Sequence, residues 1–175
     1  IVTASHDVAP EIREYDRTST TVTNAYVKPL ANIYVDRLVE KTAALGVGSP
    51  YFMMLSNGGL THIAEAKRSP VQLLESGPAA GALVAAYFGG RAGVDNVLAF
   101  DMGGTTAKLA LVDDGEPHVD YHFEAAREKR FAEGSGLPLN ISAIKLIEIG
   151  AGGGSIAHID DMELLKVGPE SAGSE

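Results

Sequence analysis

An aspartate closing an apolar run, followed at once by two glycines and two threonines, is a combination able to hold a phosphate. It occurs once near the middle of the chain, where Asn96 to Val112 reads as two apolar runs joined by Asp101-Met102-Gly103-Gly104-Thr105-Thr106. Glycines without Cβ let backbone N–H groups approach an anion closely, and a concave run of amides forms an anion nest. Thr105 and Thr106 add hydroxyl donors. Asp101 is placed to hold Mg²⁺ through water, since that ion keeps much of its hydration shell beside phosphates. The same residues also suit an ordinary hairpin with glycine in the turn and a solvated aspartate, so on these residues alone both readings stand.

Other residues carry weaker signals. Leu137 to Ile149 is apolar and β-branched and runs into Gly150-Ala151-Gly152-Gly153-Gly154-Ser155. Such a loop serves nucleotide or substrate approach, or turns a crowded corner. Glu148, just before it, is a candidate base or cation ligand, against the alternative of an edge-of-sheet carboxylate. Asn57, in Ser56-Asn57-Gly58-Gly59, is a candidate substrate-orienting residue, although Asn-Gly is first of all a turn dipeptide. The five histidines lack the spacing of a zinc site. No nucleophile elbow, Walker lysine or dinucleotide fingerprint is present.

Elements must position these groups. Ser19-Thr20-Thr21 reads as a helix entry, Pro29 as an interruption, and Leu30, Ile33, Tyr34, Arg37, Leu38, Lys41 and Leu45 as an amphipathic stripe that packs and ends at Gly46. Pro29 either bends one long helix or opens a second one. Tyr51 to Leu55 reads as a short buried strand, and Thr61 to Lys67 as a short helix. Ser76-Gly77-Pro78 opens a helix whose small residues favour close packing, with Gly89-Gly90 past its end. Its first N–H groups are also a possible anion site. After the central hairpin, His118 to Phe123 reads as a strand, Ala126 to Glu133 as a solvated charged run, and Ser155 to Ile159 with Leu164 to Val167 as a second hairpin.

With 175 residues, 45% hydrophobic and 21% charged, the chain has the material for one soluble domain with a core. The expected organisation is a single α/β domain over 1–175, mainly helical over 1–92 and β-rich over 93–175. Having no cysteine excludes disulfides, thiolate metal sites and cysteine nucleophiles, and suits a cytoplasmic setting. A net charge of −9 without a basic cluster argues against nucleic acid as partner. No apolar run approaches the ~20 residues of a membrane span. The ends carry neither a targeting segment nor a closing element, so the chain reads as an internal piece of a longer protein.

Taken in order, several stretches resemble one family. They are Glu11-Ile12-Arg13-Glu14-Tyr15-Asp16-Arg17-Thr18-Ser19-Thr20-Thr21, Ser56-Asn57-Gly58-Gly59, Ser76-Gly77-Pro78-Ala79-Ala80-Gly81, Phe100 to Thr106, and Ile149 to Ala157 followed by Val167-Gly168-Pro169-Glu170-Ser171-Ala172-Gly173. This series looks like the hydantoinase A / 5-oxoprolinase family, which includes N-methylhydantoinase A and subunits of acetone and acetophenone carboxylases. Ordered motifs over nearly the whole chain are far more specific than one glycine pair. The resemblance implies a ribonuclease-H-like α/β ATPase of the actin, Hsp70 and sugar kinase type, which uses ATP to activate an amide, lactam or ketone oxygen by phosphorylation.

Carried onto this chain, the resemblance implies that Asp101 positions Mg²⁺, that Gly103, Gly104, Thr105 and Thr106 hold phosphate, and that Gly152, Gly153, Gly154 and Ser155 contact nucleotide or substrate. It also implies partners: the remaining N- and C-terminal parts of the same protein, a first phosphate loop among them, and a hydantoinase B-type subunit. There are departures. Many members follow the glycines with Thr-Ser-Thr-Asp, whereas here Lys108 stands where the acid is expected; Lys145 likewise replaces an expected Asp. These place the chain nearer the carboxylase-like or uncharacterised branch and leave the substrate open between hydantoin, 5-oxoproline and ketone. The alternative from another class is a nucleotide-gated protein-interaction module of the actin/Hsp70 kind, or a non-catalytic scaffold segment.

Overall fold

A 31-residue helix dominates the first part of the chain. The computed structural model describes residues 2–128, 132 and 134–173, so part of the charged run expected over 126–133 lies outside the described residues. In chain order the elements are helix α1 (Ser5–Val8), helix α2 (Glu14–Ala44), strands β1 (Phe52–Met54) and β2 (Leu60–His62), helix α3 (Ile63–Arg68), a 3-10 turn at Pro70–Leu73, and helix α4 (Ser76–Ala92). Strands β3 (Val97–Met102), β4 (Ala107–Asp113), β5 (Glu116–Pro117), β6 (Val119–Asp120), β7 (Phe123–Ala125), β8 (Leu137–Leu139), β9 (Ala143–Ile144), β10 (Leu146–Ile149), β11 (Ser155–Ile159) and β12 (Leu165–Ser171) follow. No helix of the described residues is long and apolar enough to cross a membrane.

Helix α2 begins with Glu14 and Asp16, whose charges suit the positive end of the helix dipole. It runs unbroken through Pro29, so of the two roles considered for that proline the first, one long helix, holds. Pro29 is exposed, so the Ala25 carbonyl that loses its helical partner can be met by solvent. The stripe expected to pack does the opposite. Leu30, Ile33, Tyr34 and Leu45 are exposed, while α2 buries Thr20, Asn24 and Val35. The reason is hydrogen bonding: the buried polar residues tie distant segments to the helix.

The chain divides into two compact units, residues 1–80 with 119–144 and residues 81–118 with 145–175, so segment 119–144 returns to the first unit instead of extending a β-rich second half. In the first unit Val8, Val71, Leu139 and Ile141 form the buried apolar cluster, with Leu74, Phe123 and Ala125 packed against it. Burying each of the larger side chains contributes ~1.5–3 kcal/mol. Around the cluster, Asn24 donates to the Arg68 carbonyl at 3.2 Å and accepts from the Val71 N–H at 3.1 Å. Thr20 accepts from the Asn140 N–H at 2.8 Å and donates to the Asp16 carbonyl at 2.7 Å. Ser56 donates to the Gln72 carbonyl at 2.6 Å, and its own carbonyl accepts from Ile144 N–H at 2.9 Å.

Small antiparallel pairs complete this unit: β1 with β2, β6 with β9, and β7 with β8. The single strand expected over 118–123 is therefore two, each taking a different partner from the apolar stretch that follows. Strand β1 is half-exposed, and Leu60 to His62 is its partner strand, so the expected helix at Thr61 starts two residues later.

The second unit is built on the central hairpin. Strands β3 and β4 pair from Val97↔Val112 to Met102↔Ala107, and β10 lies on the other side of β4, from Leu146↔Ala110 to Ile149↔Ala107. Strand β5 pairs with the far end of β4, after a turn in which Asp114 and Gly115 both take positive φ. Strands β11 and β12 form the second hairpin. Helix α4 runs through Gly89-Gly90 instead of stopping before them, and Pro78 is its third residue. Gly89 is glycine because β3 approaches there: a Cβ would lie 2.6 Å from Val97 Cγ2 and 2.8 Å from the Val94 carbonyl oxygen. The left-handed turn that ends the helix falls at Gly93, φ +72°.

Candidate functional site

The turn between β3 and β4 is held from behind by backbone alone. Within it, Gly103 N–H donates to the Thr106 carbonyl at 2.9 Å, continuing the ladder of the hairpin. The carbonyls of Gly103 and Gly104 then accept from the N–H groups of Gly153 and Gly154, at 2.9 and 2.8 Å. Gly152 N–H donates to Ser155 Oγ at 2.9 Å. The two glycine loops singled out in the sequence thus pack on each other. The amides of Gly152, Gly153 and Gly154 are all engaged inside the protein, so this loop buttresses the turn in place of offering its own N–H groups to a ligand.

Glycines in the two loops are glycines for different reasons. None of Gly103, Gly104, Gly152, Gly153 and Gly154 has the positive φ that favours glycine. At Gly152 the reason is contact: a Cβ would lie 2.6 Å from the Gly103 oxygen and 2.7 Å from both the Gly104 carbonyl carbon and the Thr105 nitrogen. At Gly104 a Cβ would meet nothing within 4 Å. Neither backbone angle nor packing requires a glycine there. The space is open on the outer side of the turn, and among the described residues no acceptor receives the N–H of Gly104 or Thr105. Amides without an internal acceptor, in a turn braced by a second loop, are groups of the kind that can receive an oxyanion.

Beside this turn three charged residues stand in one row. Register places Asp101 on β3 directly opposite Lys108 on β4, and Lys108 directly opposite Glu148 on β10. Directly opposite residues point to the same face of an antiparallel sheet. The Lys108 ammonium lies 3.8 Å from a Glu148 carboxylate oxygen, with the lysine side chain 17% exposed and the glutamate 58%. Asp101 is exposed, as are Gly103, Gly104 and Thr105, while Thr106 is half-buried. Among the described residues no three His, Cys, Asp or Glu side chains gather as a metal cage. The exposed carboxylate of Asp101 is of the type that suits Mg²⁺, an ion that binds through one or two carboxylates together with phosphate oxygens and water.

Asn57 belongs to the first unit. Its Oδ1 accepts from Gly59 N–H at 2.9 Å, shaping the turn, and its Nδ2 donates to Ser142 Oγ at 3.0 Å. It lines a cleft of 270 Å³ together with Glu11, Gln72, Asn140 and Ser142. Glu11 is itself held by Asn140, Nδ2 to Oε2 at 2.7 Å. Sequence reasoning singled out Asn57 without these companions, because residues 11, 57 and 142 meet only through tertiary structure. It likewise missed that Lys108 sits between Asp101 and Glu148. Counting strand lengths back from the two glycine loops was the one signal that could have aligned them.

Comparison with known proteins adds identity to this geometry. The family model described as hydantoinase/oxoprolinase matches residues 17–175. An uncharacterised protein of Methanocaldococcus jannaschii is 42% identical over 99% of this chain and 26% of its own length. Caprolactamase subunit alpha of Pseudomonas jessenii is 40% identical over 99% of this chain and 24% of its own. The nucleotide-free structure of acetone carboxylase, from work on ATP-dependent acetone carboxylation, superposes with a TM-score of 0.76 at 28% identity, covering 97% of this chain and 22% of that one. The chain therefore spans about a quarter of the length of the relatives it matches, and its mixed α/β fold is shared with the acetone carboxylase structure. The chain belongs to the hydantoinase/oxoprolinase family.

Proposed function

We propose that this chain supplies a phosphate-binding wall to an ATP-dependent enzyme that activates a cyclic amide or a ketone by phosphorylating its oxygen. The observation that carries the reading is Gly104: a glycine demanded by neither φ nor packing, with open space where a Cβ would be and an N–H without an acceptor among the described residues. Bound there, ATP would supply the phosphoryl group. Gly104 and Thr105 N–H groups would receive phosphate oxygens, with the Thr105 and Thr106 hydroxyls beside them, and Gly103 would fix the turn through its ladder bond. The loop Gly152 to Ser155 would hold the turn rigid from behind. Asp101 would orient the waters of the accompanying Mg²⁺, and Glu148 would remain the candidate proton acceptor. Catalysis of this kind is positioning and charge neutralisation.

The wider reading follows family membership: a ribonuclease-H-like ATPase core, a cytoplasmic enzyme, and partners in the rest of the polypeptide and in a B-type subunit, in keeping with a relative that is itself a subunit, caprolactamase subunit alpha. Asn57, with Glu11, Asn140 and Ser142 around it, is the candidate for orienting a small polar substrate in the first unit. The test is substrate-stimulated ATP hydrolysis by the full-length protein, screened against hydantoins, 5-oxoproline, lactams and small ketones. Asp101→Ala is expected to abolish the stimulated rate. Unchanged stimulated hydrolysis in that variant, or stimulation only by partner proteins, would overturn the reading.

A further inference from the structure

The row Asp101, Lys108, Glu148 holds its own cation. Three adjacent strands bring these residues side by side, and a lysine between two carboxylates is the arrangement in which an ammonium stands where a metal ion would otherwise sit. Lys108 is more enclosed than its partner, its side chain 17% exposed against 58% for Glu148. On the same face, one register step further in, are Ala99, Ala110 and Leu146, small or apolar neighbours that let the lysine stem lie along the sheet while its head meets Glu148 at 3.8 Å. Without the ammonium, Asp101 and Glu148 would be two like charges on alternate strands, each drawing cations.

We propose that Lys108 is a positioning residue that acts as the resident cation of this site: its ammonium occupies the place between Asp101 and Glu148, keeping the two carboxylates from chelating a divalent ion on their own. A divalent ion then enters only with the phosphates of a nucleotide. The consequence for specificity is that the empty turn carries a single net negative charge across the three residues, and an anionic phosphate meets less repulsion than it would from three acids. This deepens the phosphate-site reading above and rests on it for its functional meaning, but its physical content concerns metal binding without nucleotide.

That content is tested on the full-length protein by titrating Mn²⁺, a spectroscopically visible substitute for Mg²⁺, with no nucleotide present and free ion read by electron paramagnetic resonance. Lys108→Met keeps the buried stem and removes the charge; it is expected to tighten Mn²⁺ binding by at least about ten-fold. Lys108→Asp is expected to tighten it further, Lys108→Arg to leave it unchanged, and Asp101→Asn placed on Lys108→Met to return it to the starting value. Circular dichroism and the melting temperature show whether each variant is folded, and Lys108→Arg decides the matter if the others are not. Should the arginine variant gain Mn²⁺ affinity, or the methionine variant gain none, the proposal is overturned. Failure of ATP to bind while these shifts appear would overturn only the nucleotide reading, because no nucleotide enters this titration.

Discussion

The two units are held together by opposite means. In the first, side chains do the joining: Asn24 and Thr20 reach across the sequence to backbone groups that would otherwise be unpaired, and the Ser56 hydroxyl reinforces the bond its own N–H makes to the Gln72 carbonyl. In the second, the central turn is joined to its supporting loop by backbone alone, and the side chains have been removed to allow it. The difference teaches where each unit is vulnerable. The first is damaged by taking atoms away, because a buried N–H or C=O loses its partner. The second is damaged by adding them, because a single Cβ has nowhere to go.

The sharpest test of that contrast is Asn24→Ala. It strands the buried Val71 N–H and frees the Arg68 carbonyl, and is expected to cost about 3 kcal/mol in urea unfolding; a loss no larger than that of an exposed substitution would break the comparison for the first unit. Next comes Gly152→Ala, with a Cβ 2.6–2.7 Å from the turn backbone, expected to cost about 2 kcal/mol by the same measurement. A smaller effect concerns acid. Glu124 accepts from Gly134 N–H at 2.6 Å and from Arg127 Nε at 2.9 Å. The Gly134 amide first, and then the Arg127 charge, hold its carboxyl below the ordinary 4.5, with desolvation opposing them.

A lowered carboxylate pKa contributes stability above the unfolded value and loses it as pH falls through the folded one. Melting temperatures of the unmodified protein and of Glu124→Gln should therefore differ at pH 6 and converge as the pH drops below the ordinary 4.5. Convergence in the other direction, on raising the pH, would contradict it. Least of all should stability change in Gly104→Ala, by no more than about 0.5 kcal/mol, since its Cβ meets open space. The same variant should nonetheless weaken nucleotide binding measured by calorimetry. Stability falling as far as in Gly152→Ala would erase the distinction drawn between the two glycines.

Much of the local structure was legible residue by residue. Two apolar runs around the Gly-Gly turn marked the hairpin of β3 and β4, and the runs Ser155 to Ile159 and Leu164 to Val167 marked β11 with β12. What escaped had one physical cause, the absence of partners from a linear text. The stripe Leu30, Ile33, Tyr34 has helical period, yet period does not say which face a helix buries, and two hydrogen-bonding residues, Thr20 and Asn24, overrode it. Gly89-Gly90 resembles a helix stop, but the strand lying against Gly89 gives the residue a different reason. At the site, the turn was visible from its residue types, whereas the buttress of Gly152 and the row through Lys108 depend on strands that the sequence does not align.

The cluster of Val8, Val71, Leu139 and Ile141 has a consequence for how the protein is made. Its members come from opposite ends of a chain that leaves the first unit after residue 80 and rejoins it at 119. On a ribosome adding roughly 5–20 residues per second, the first unit waits several seconds with its apolar side chains and the polar face of α2 uncovered. The hairpin of β3 and β4, by contrast, needs only neighbours and can close as it emerges, on the microsecond scale of such elements. Contacts of long sequence separation form late and slowly. Synthesis therefore delivers the turn between β3 and β4 before the first unit is able to fold.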